Sequence, residues 1–152
     1  MHYELFSDEY FMNEALKEAQ KAFETGEVPV GAVIVSQNRI IARAHNMTQQ
    51  LNDVTAHAEM IAITAASNFL GSKYLNDCAL YVTLEPCLMC AAALKWAQLE
   101  RIFYGTSDPK EGFTLMEKPV LHKRTGVVQG ILEAPSSNLL KQFFMHRRDH
   151  QN

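Results

Sequence analysis

Cysteine is scarce in this sequence, with three among 152 residues. So few, and an odd number, cannot build the disulfide framework that supports small secreted domains, and they fit a reducing compartment. Long hydrophobic runs are missing as well. No apolar stretch approaches the roughly 18 residues that a membrane span needs. The opening Met1-His2-Tyr3-Glu4 has neither a basic segment nor an apolar one behind it, so the chain is expected in the cytoplasm with no membrane partner. Repeats, low-complexity tracts and linkers are absent too, which excludes solenoids and tethered modules. What remains is ordinary globular composition, 47% hydrophobic and 20% charged. A chain of this length buries one core but not two, so residues 1–152 are expected to form a single domain.

The formal net charge of −3 is unevenly spread. Residues 1–117 carry eight Lys and Arg against fifteen Asp and Glu, whereas residues 118–152 carry six against two. A basic C-terminal quarter suits a surface that faces phosphates, although short basic tails are also commonly just solvated.

Local patterns give an alternation of elements. Ser7 followed by Asp8 and Glu9 is an N-cap with acids in the first turn, and the stripe Met12, Ala15, Leu16, Ala19, Ala22, Phe23 predicts a helix to about Thr25-Gly26. Residues 28–36 and 39–45 predict a β-hairpin turning at Gln37-Asn38, with Asn46 at its end able to reach a cleft. A helix carrying Ala58, Ile61, Ala62, Ala65 and Ala66 follows, its start capped by Asp53 or Thr55. Next come a loop over 68–76, a buried strand over 79–84, a helix over 88–97 and a strand over 101–105. A last strand within 125–129 precedes a final helix capped by Ser136-Ser137 and ending at Arg147-Arg148. The helix over 88–97 has almost no polar face, so something must cover it on more than one side, and a partner subunit is expected to supply part of that cover.

Two short clusters carry the chemistry. In Glu85-Pro86-Cys87-Leu88-Met89-Cys90, the two cysteines stand three apart at a strand-to-helix junction and project from one face of the first turn. There the exposed amides and the helix dipole favour thiolate, the form that binds metal. Pro86 costs nothing at this position, because its missing N–H would have been unpaired anyway. Two sulfurs do not complete a zinc shell, and His57 in Thr55-Ala56-His57-Ala58-Glu59 is the best third ligand. Cys78 is excluded as a fourth, since the strand from 78 to 84 spans about 20 Å at ~3.3 Å per residue. Three protein ligands leave a place for water, as in catalytic zinc sites. Glu59 is then free for proton transfer rather than ligation. Because residues two apart on a regular helix diverge, His57 and Glu59 are expected to straddle an irregular helix start.

His57-x-Glu59 with Pro86-Cys87-x-x-Cys90 resembles the signature of the zinc deaminases. The resemblance narrows to the tRNA-specific adenosine deaminases through residues 27–33 (EVPVGAV), Asn46, residues 83–90 (TLEPCLMC), Asp108-x-Lys110-x-Gly112 and Phe143-Phe144-x-x-Arg147-Arg148, and it covers nearly the whole chain. It implies a three-layer α-β-α sandwich of the cytidine deaminase-like α/β fold, with a mixed five-stranded sheet, one Zn²⁺ per subunit and a homodimer. It further implies that Glu59 shuttles protons while water activated at the metal attacks C6 of adenosine, giving inosine at the wobble position of a tRNA anticodon stem-loop. By the same resemblance Asn46 hydrogen-bonds the base, and Pro29, Val30, Ala58, Glu85, Pro86 and Asp108 belong to the substrate pocket. Lys110, Lys123, Arg124, Arg147 and Arg148 then meet the RNA backbone. Between Gly112 and Gly130 the chain is shorter than the family pattern, and His122-Lys123-Arg124 stands where the pattern has Asn-His-Arg. Two rivals remain: a free nucleobase or nucleoside deaminase acting on guanine, cytosine or cytidine with the same metal, and a structural zinc module that binds RNA without chemistry.

Overall fold

A computed structural model describes residues 2–151, with side chains up to residue 149. The elements run α1 (Asp8–Glu24), β1 (Gly31–Ser36), β2 (Arg39–His45), α2 (Thr48–Leu51), α3 (Ala58–Leu70), β3 (Cys78–Leu84), α4 (Leu88–Ala97), β4 (Arg101–Thr106), a 3₁₀ turn (Phe113–Leu115), β5 (Gly126–Gln129) and α5 (Glu133–Gln151). The sheet is mixed, with order β2-β1-β3-β4-β5. The β1–β2 and β1–β3 pairs are antiparallel, and the β3–β4 and β4–β5 pairs are parallel.

Strand alternation divides the core between the two faces of this sheet. Ala32, Ile34, Leu80, Val82, Ile102 and Tyr104 pack with Ala58, Ala62 and Ala66 of α3 and Leu94 of α4. Val33, Val35, Tyr81 and Phe103 pack on the other face with Phe11, Met12 and Ala15 of α1. On that side α5 joins α1, where Phe143 meets Phe23 at 5.9 Å in an edge-to-face pair. Helices on both faces make the expected three layers. Alanines on the sheet-facing side of α3 permit close approach, and Gly31 does the same for α1, since a Cβ there would collide with the backbone of Ala15 and Ala19.

Most predicted boundaries hold. Ser7 caps α1 by accepting the Tyr10 amide at 3.1 Å. The hairpin turns on Gln37 and Asn38, both left-handed (φ 52° and 60°), as a two-residue turn matched to strand twist requires. Three expectations are corrected. The first strand opens at Gly31 rather than Val28, because Pro29 has no N–H to give the ladder. The last helix starts at Glu133 and runs to Gln151; Pro135 lies in its first turn, where a missing amide is harmless. Ser136 is buried inside it and donates to the Leu132 carbonyl at 2.9 Å instead of capping. The start of α3 is capped by neither Asp53 nor Thr55. Asp53 Oδ1 accepts the Thr55 amide and hydroxyl at 2.8 and 2.7 Å within the preceding turn.

Candidate active site

The right-handed geometry of a strand-helix-strand unit puts the C-terminal ends of β3 and β4 beside the N-terminus of α4, and the catalytic clusters gather there. His57 is the N-cap of α3 (φ −75°, ψ 153°) and Cys87 the N-cap of α4 (φ −73°, ψ 173°). Each therefore has extended backbone just before a helix, while Glu59 and Cys90 sit in the first turns. This is how His57 and Glu59, two apart in sequence, come to face one cavity. The amide of Ala58, one of the donors at the helix start that has no partner within the helix, is taken at 2.8 Å by Oδ1 of Asn46 from the end of β2. Asn46 Nδ2 donates to the Val28 carbonyl at 3.1 Å, so this one side chain ties the approach to β1 to the helix that carries His57.

His57 Nδ1 lies 3.7 Å from Cys87 Sγ and 3.5 Å from Cys90 Sγ, and the three donor atoms lie within 4.8 Å of one another. Bond lengths of about 2.3 Å to sulfur and 2.1 Å to nitrogen in a tetrahedron give an N···S edge of about 3.6 Å, so the spacing fits zinc. Among the described residues this is the one group of three or more His, Cys, Asp or Glu side chains able to hold a metal.

Without metal, the electrostatics already favour ligation. Cys87 is held down to about 4, chiefly by the hydrogen bond from the Cys90 thiol and next by the His57 ring and the Cys90 amide, against the effect of burial. The same shared bond, with burial, pushes Cys90 up, so the pair retains a proton that a metal would displace. His57 is raised, first by its bond with Cys87. Glu59 is 4% exposed, and burial pushes its carboxyl up to about 7 from an ordinary 4.5. A carboxyl poised near neutrality can both accept and return a proton.

These groups open into a pocket of about 310 Å³ lined by Val30, Asn46, His57, Glu59, Leu84, Glu85, Cys87, Asp108 and Glu111. Pro29 is buried and does not line it. Pro86 is buried too, its carbonyl accepting the Phe113 amide at 3.0 Å. Glu85 does structural work: Oε1 accepts the Asp108 amide at 3.1 Å, while Oε2 accepts the Thr114 amide at 2.9 Å and its hydroxyl at 2.8 Å. It thereby fastens the loop after β4 against the loop that carries Cys87. Gly112 fits this clasp because a Cβ there would strike the Glu85 carboxylate. Gly112→Ala is expected to lower stability by about 1–3 kcal/mol, the ordinary cost of overpacking, measured by denaturant unfolding.

Lys110, Arg147 and Arg148 lie on the far side of that loop, lining a groove of about 830 Å³ with Lys141 and Phe144. Lys123 and Arg124 lie elsewhere. Arg124 lines a recess with Asn76, Asp77 and Glu100, at the end where β3 and β4 begin. Sequence reasoning missed Leu84 and Glu111 as pocket residues, and also Glu27. The buried Glu27 carboxylate accepts the amides of Gln49 and Gln50 and the Thr48 hydroxyl, and so builds α2 beside the pocket. An acid two residues before Pro29, as Glu85 is one before Pro86, was the available signal.

This fold and donor set belong to a class of zinc hydrolases that deaminate bases. The chain is a member of the cytidine and deoxycytidylate deaminase family, whose zinc-binding region matches residues 6–106. Within the family it resembles one group in particular. It is 47% identical over 146 residues to the tRNA-specific adenosine deaminase of Aquifex aeolicus, covering 93% of this chain and 96% of that one. The enzyme of the same description from Agrobacterium fabrum is 46% identical over 144 residues, covering 91% and 95%. A solved structure from studies of A-to-I editing by tRNA:A34 deaminases matches with a TM-score of 0.81 and 46% identity, over 86% of this chain and 98% of that chain.

Proposed function

We propose that this chain, acting as one domain, hydrolyses adenosine to inosine at the wobble position of a tRNA anticodon. The observation that carries the reading is a buried acid, Glu59, which is not a metal ligand yet shares the pocket with His57 and Cys87. A structural zinc module has no use for such a group. Zinc, when bound by His57, Cys87 and Cys90, supplies Lewis acidity that makes water nucleophilic near neutral pH.

The remaining steps fall to the protein's own groups. Glu59 takes the proton released as water adds at C6 and hands it to N1 of the purine; it then takes the proton of the new C6 hydroxyl and passes it to the amine, which leaves as ammonia while the C6 carbonyl forms. Val30 and Leu84 supply apolar walls for the base. Asn46 gives one Nδ2 hydrogen to the Val28 carbonyl and keeps the other, which is available to a base acceptor. Asp108 orders the rim, its Oδ1 accepting the amides of Lys110 and Glu111 at 3.0 Å each. Lys110, Lys141, Arg147 and Arg148 neutralise strand phosphates without reading sequence, and exposed Phe144 offers a stacking surface between them. Lys123 and Arg124 remain available to a more distant part of the tRNA.

Incubating zinc-loaded protein with an anticodon stem-loop and analysing its nucleosides tests the reading. Inosine at the wobble position is expected. Ammonia release from guanine or cytidine with an untouched stem-loop overturns it.

The reading includes a homodimer in the cytoplasm. Leu88 and Trp96 of α4 are 46% and 75% exposed, and Trp96 with Ala93, Ala97, Ile63 and Tyr74 borders an open groove of about 580 Å³ between α3 and α4. Exposed apolar surface of this kind marks a contact site. A mass twice that of the chain is expected by light scattering at micromolar concentration, and Trp96→Glu is expected to shift it to the monomer. No helix of the described residues is long and apolar enough to cross a membrane.

A further inference from the structure

The loop from Ser107 to Gly112 separates two surfaces of opposite charge. On one side lies the groove with Lys110, Lys141, Arg147 and Arg148, and among the described residues no acidic side chain lines it. On the other lies the pocket, where the charged side chains at and near the rim are the acids Asp108 and Glu111. The division is rigid. Buried Glu85 pins the loop at the Asp108 amide and again at Thr114, and Asp108 pins the amides of Lys110 and Glu111. Neighbouring residues of opposite sign therefore line different surfaces, Lys110 the groove and Glu111 the pocket.

Among the pocket's acids Glu111 stands apart. Glu59 is buried against Cys90, while the carboxylates of Glu85 and Asp108 accept backbone amides. The Glu111 carboxylate is exposed and makes no hydrogen bond or ion pair among the described residues. An unpartnered anion at the mouth of a pocket whose substrate is a polyanion is costly unless it rejects something.

We propose that Glu111 is a specificity-determining residue that keeps phosphate out of the base pocket. A nucleic-acid strand meets the loop with its phosphates on the Lys110 side and passes only a nucleoside across. A free nucleoside phosphate has no strand to hold its phosphate on that side, brings the charge in with the base, and is turned away. This rests on the reading of the substrate as an RNA strand.

The test uses zinc-loaded full-length protein, the anticodon stem-loop as substrate and adenosine 5′-monophosphate as inhibitor, at roughly 50 mM salt and again at roughly 500 mM. A unit charge about 7 Å from a phosphate in water changes affinity by about threefold, so Glu111→Gln is expected to strengthen inhibition about threefold over the wild type. Glu111→Lys doubles the charge change and is expected to strengthen it about tenfold. Glu111→Asp keeps the charge and should resemble the wild type, and high salt should erase the differences. Equal inhibition of the wild type and Glu111→Gln at low salt, including none of either, overturns the proposal. So does a gain that survives high salt. A wild type that forms no inosine contradicts the substrate reading itself, whereas an active wild type matched by Glu111→Gln contradicts only the role of Glu111.

Discussion

Glu59→Gln should form inosine at least about 10³-fold more slowly than the wild type while holding the same amount of zinc, because general acid–base catalysis is worth about 10²–10⁴-fold and this group serves more than one proton transfer. The expectation follows from placement. Glu59 lies in the first turn of α3, two residues past the candidate ligand His57, and lines the pocket beside Cys90 without belonging to the group of three donors that could hold the metal. Glutamine keeps the shape and loses the proton traffic. A variant that lost zinc would instead make Glu59 part of the metal shell.

The same substitution separates catalysis from stability. In metal-free protein the folded carboxyl titrates at about 7 against an ordinary 4.5, so the folded state holds its proton over a pH range in which the unfolded chain has released it. The contribution of the neutral form is complete below about pH 4.5 and is lost as pH rises towards 7. At about 1.4 kcal/mol per pH unit, burial of the ionised group costs up to about 3 kcal/mol at pH 7 and above. Metal-free Glu59→Gln should therefore be more stable than metal-free wild type at about pH 8, with the advantage gone near pH 4. A flat difference across that range in denaturant titrations would contradict the cause assigned to the shift.

The second large effect belongs to Glu85. Glu85→Ala removes three hydrogen bonds to a buried carboxylate and leaves the Asp108 and Thr114 amides without their acceptor. Bonds to charged groups are worth about 1.5–3 kcal/mol each, but relaxation and water entry recover part, so a net loss of about 3–5 kcal/mol is expected. For a chain of this size that lowers the melting temperature by roughly 10 °C. The loop bearing Asp108, Lys110 and Glu111 also loses its anchor, so KM for the stem-loop should rise even where the variant remains folded. Glu85→Gln can still accept some of these bonds and should lie between. If Glu85→Ala matched the wild type in melting temperature and changed KM alone, direct substrate contact would replace anchoring as its role.

These two acids show which parts of the site a sequence reveals. His57, Glu59, Cys87 and Cys90 were legible because their spacing carries the constraint: a histidine two residues before an acid must straddle a helix start, and two cysteines three apart reach one side of another. Glu85 was legible as a pocket residue but not as a clasp, because its partners lie 23 and 29 residues away across a loop with no periodicity. Asn46 holding the Ala58 amide was hidden for the same reason, and Asp53 and Thr55 looked like the caps because they are local. The short α2 was missed because the acceptor that builds it, Glu27, comes from before β1. Strand alternation and helical stripes gave the elements, whereas their stacking into three layers came with the family resemblance. Pro29 and Pro135 moved two boundaries, one by withholding a ladder donor and one by being tolerated in a first turn. Charge counting gathered the basic residues into one C-terminal group, whereas folding sends Arg147 and Arg148 to the groove beside Lys110 and Arg124 to the opposite end of the parallel strands.

Metal stoichiometry tests the central claim most directly. Elemental analysis of freshly purified protein should find one zinc per chain; chelation should remove zinc and inosine formation together, and added zinc should restore both in proportion. Full activity in protein stripped of zinc, or fresh material with zinc far below one per chain yet undiminished turnover, would contradict it.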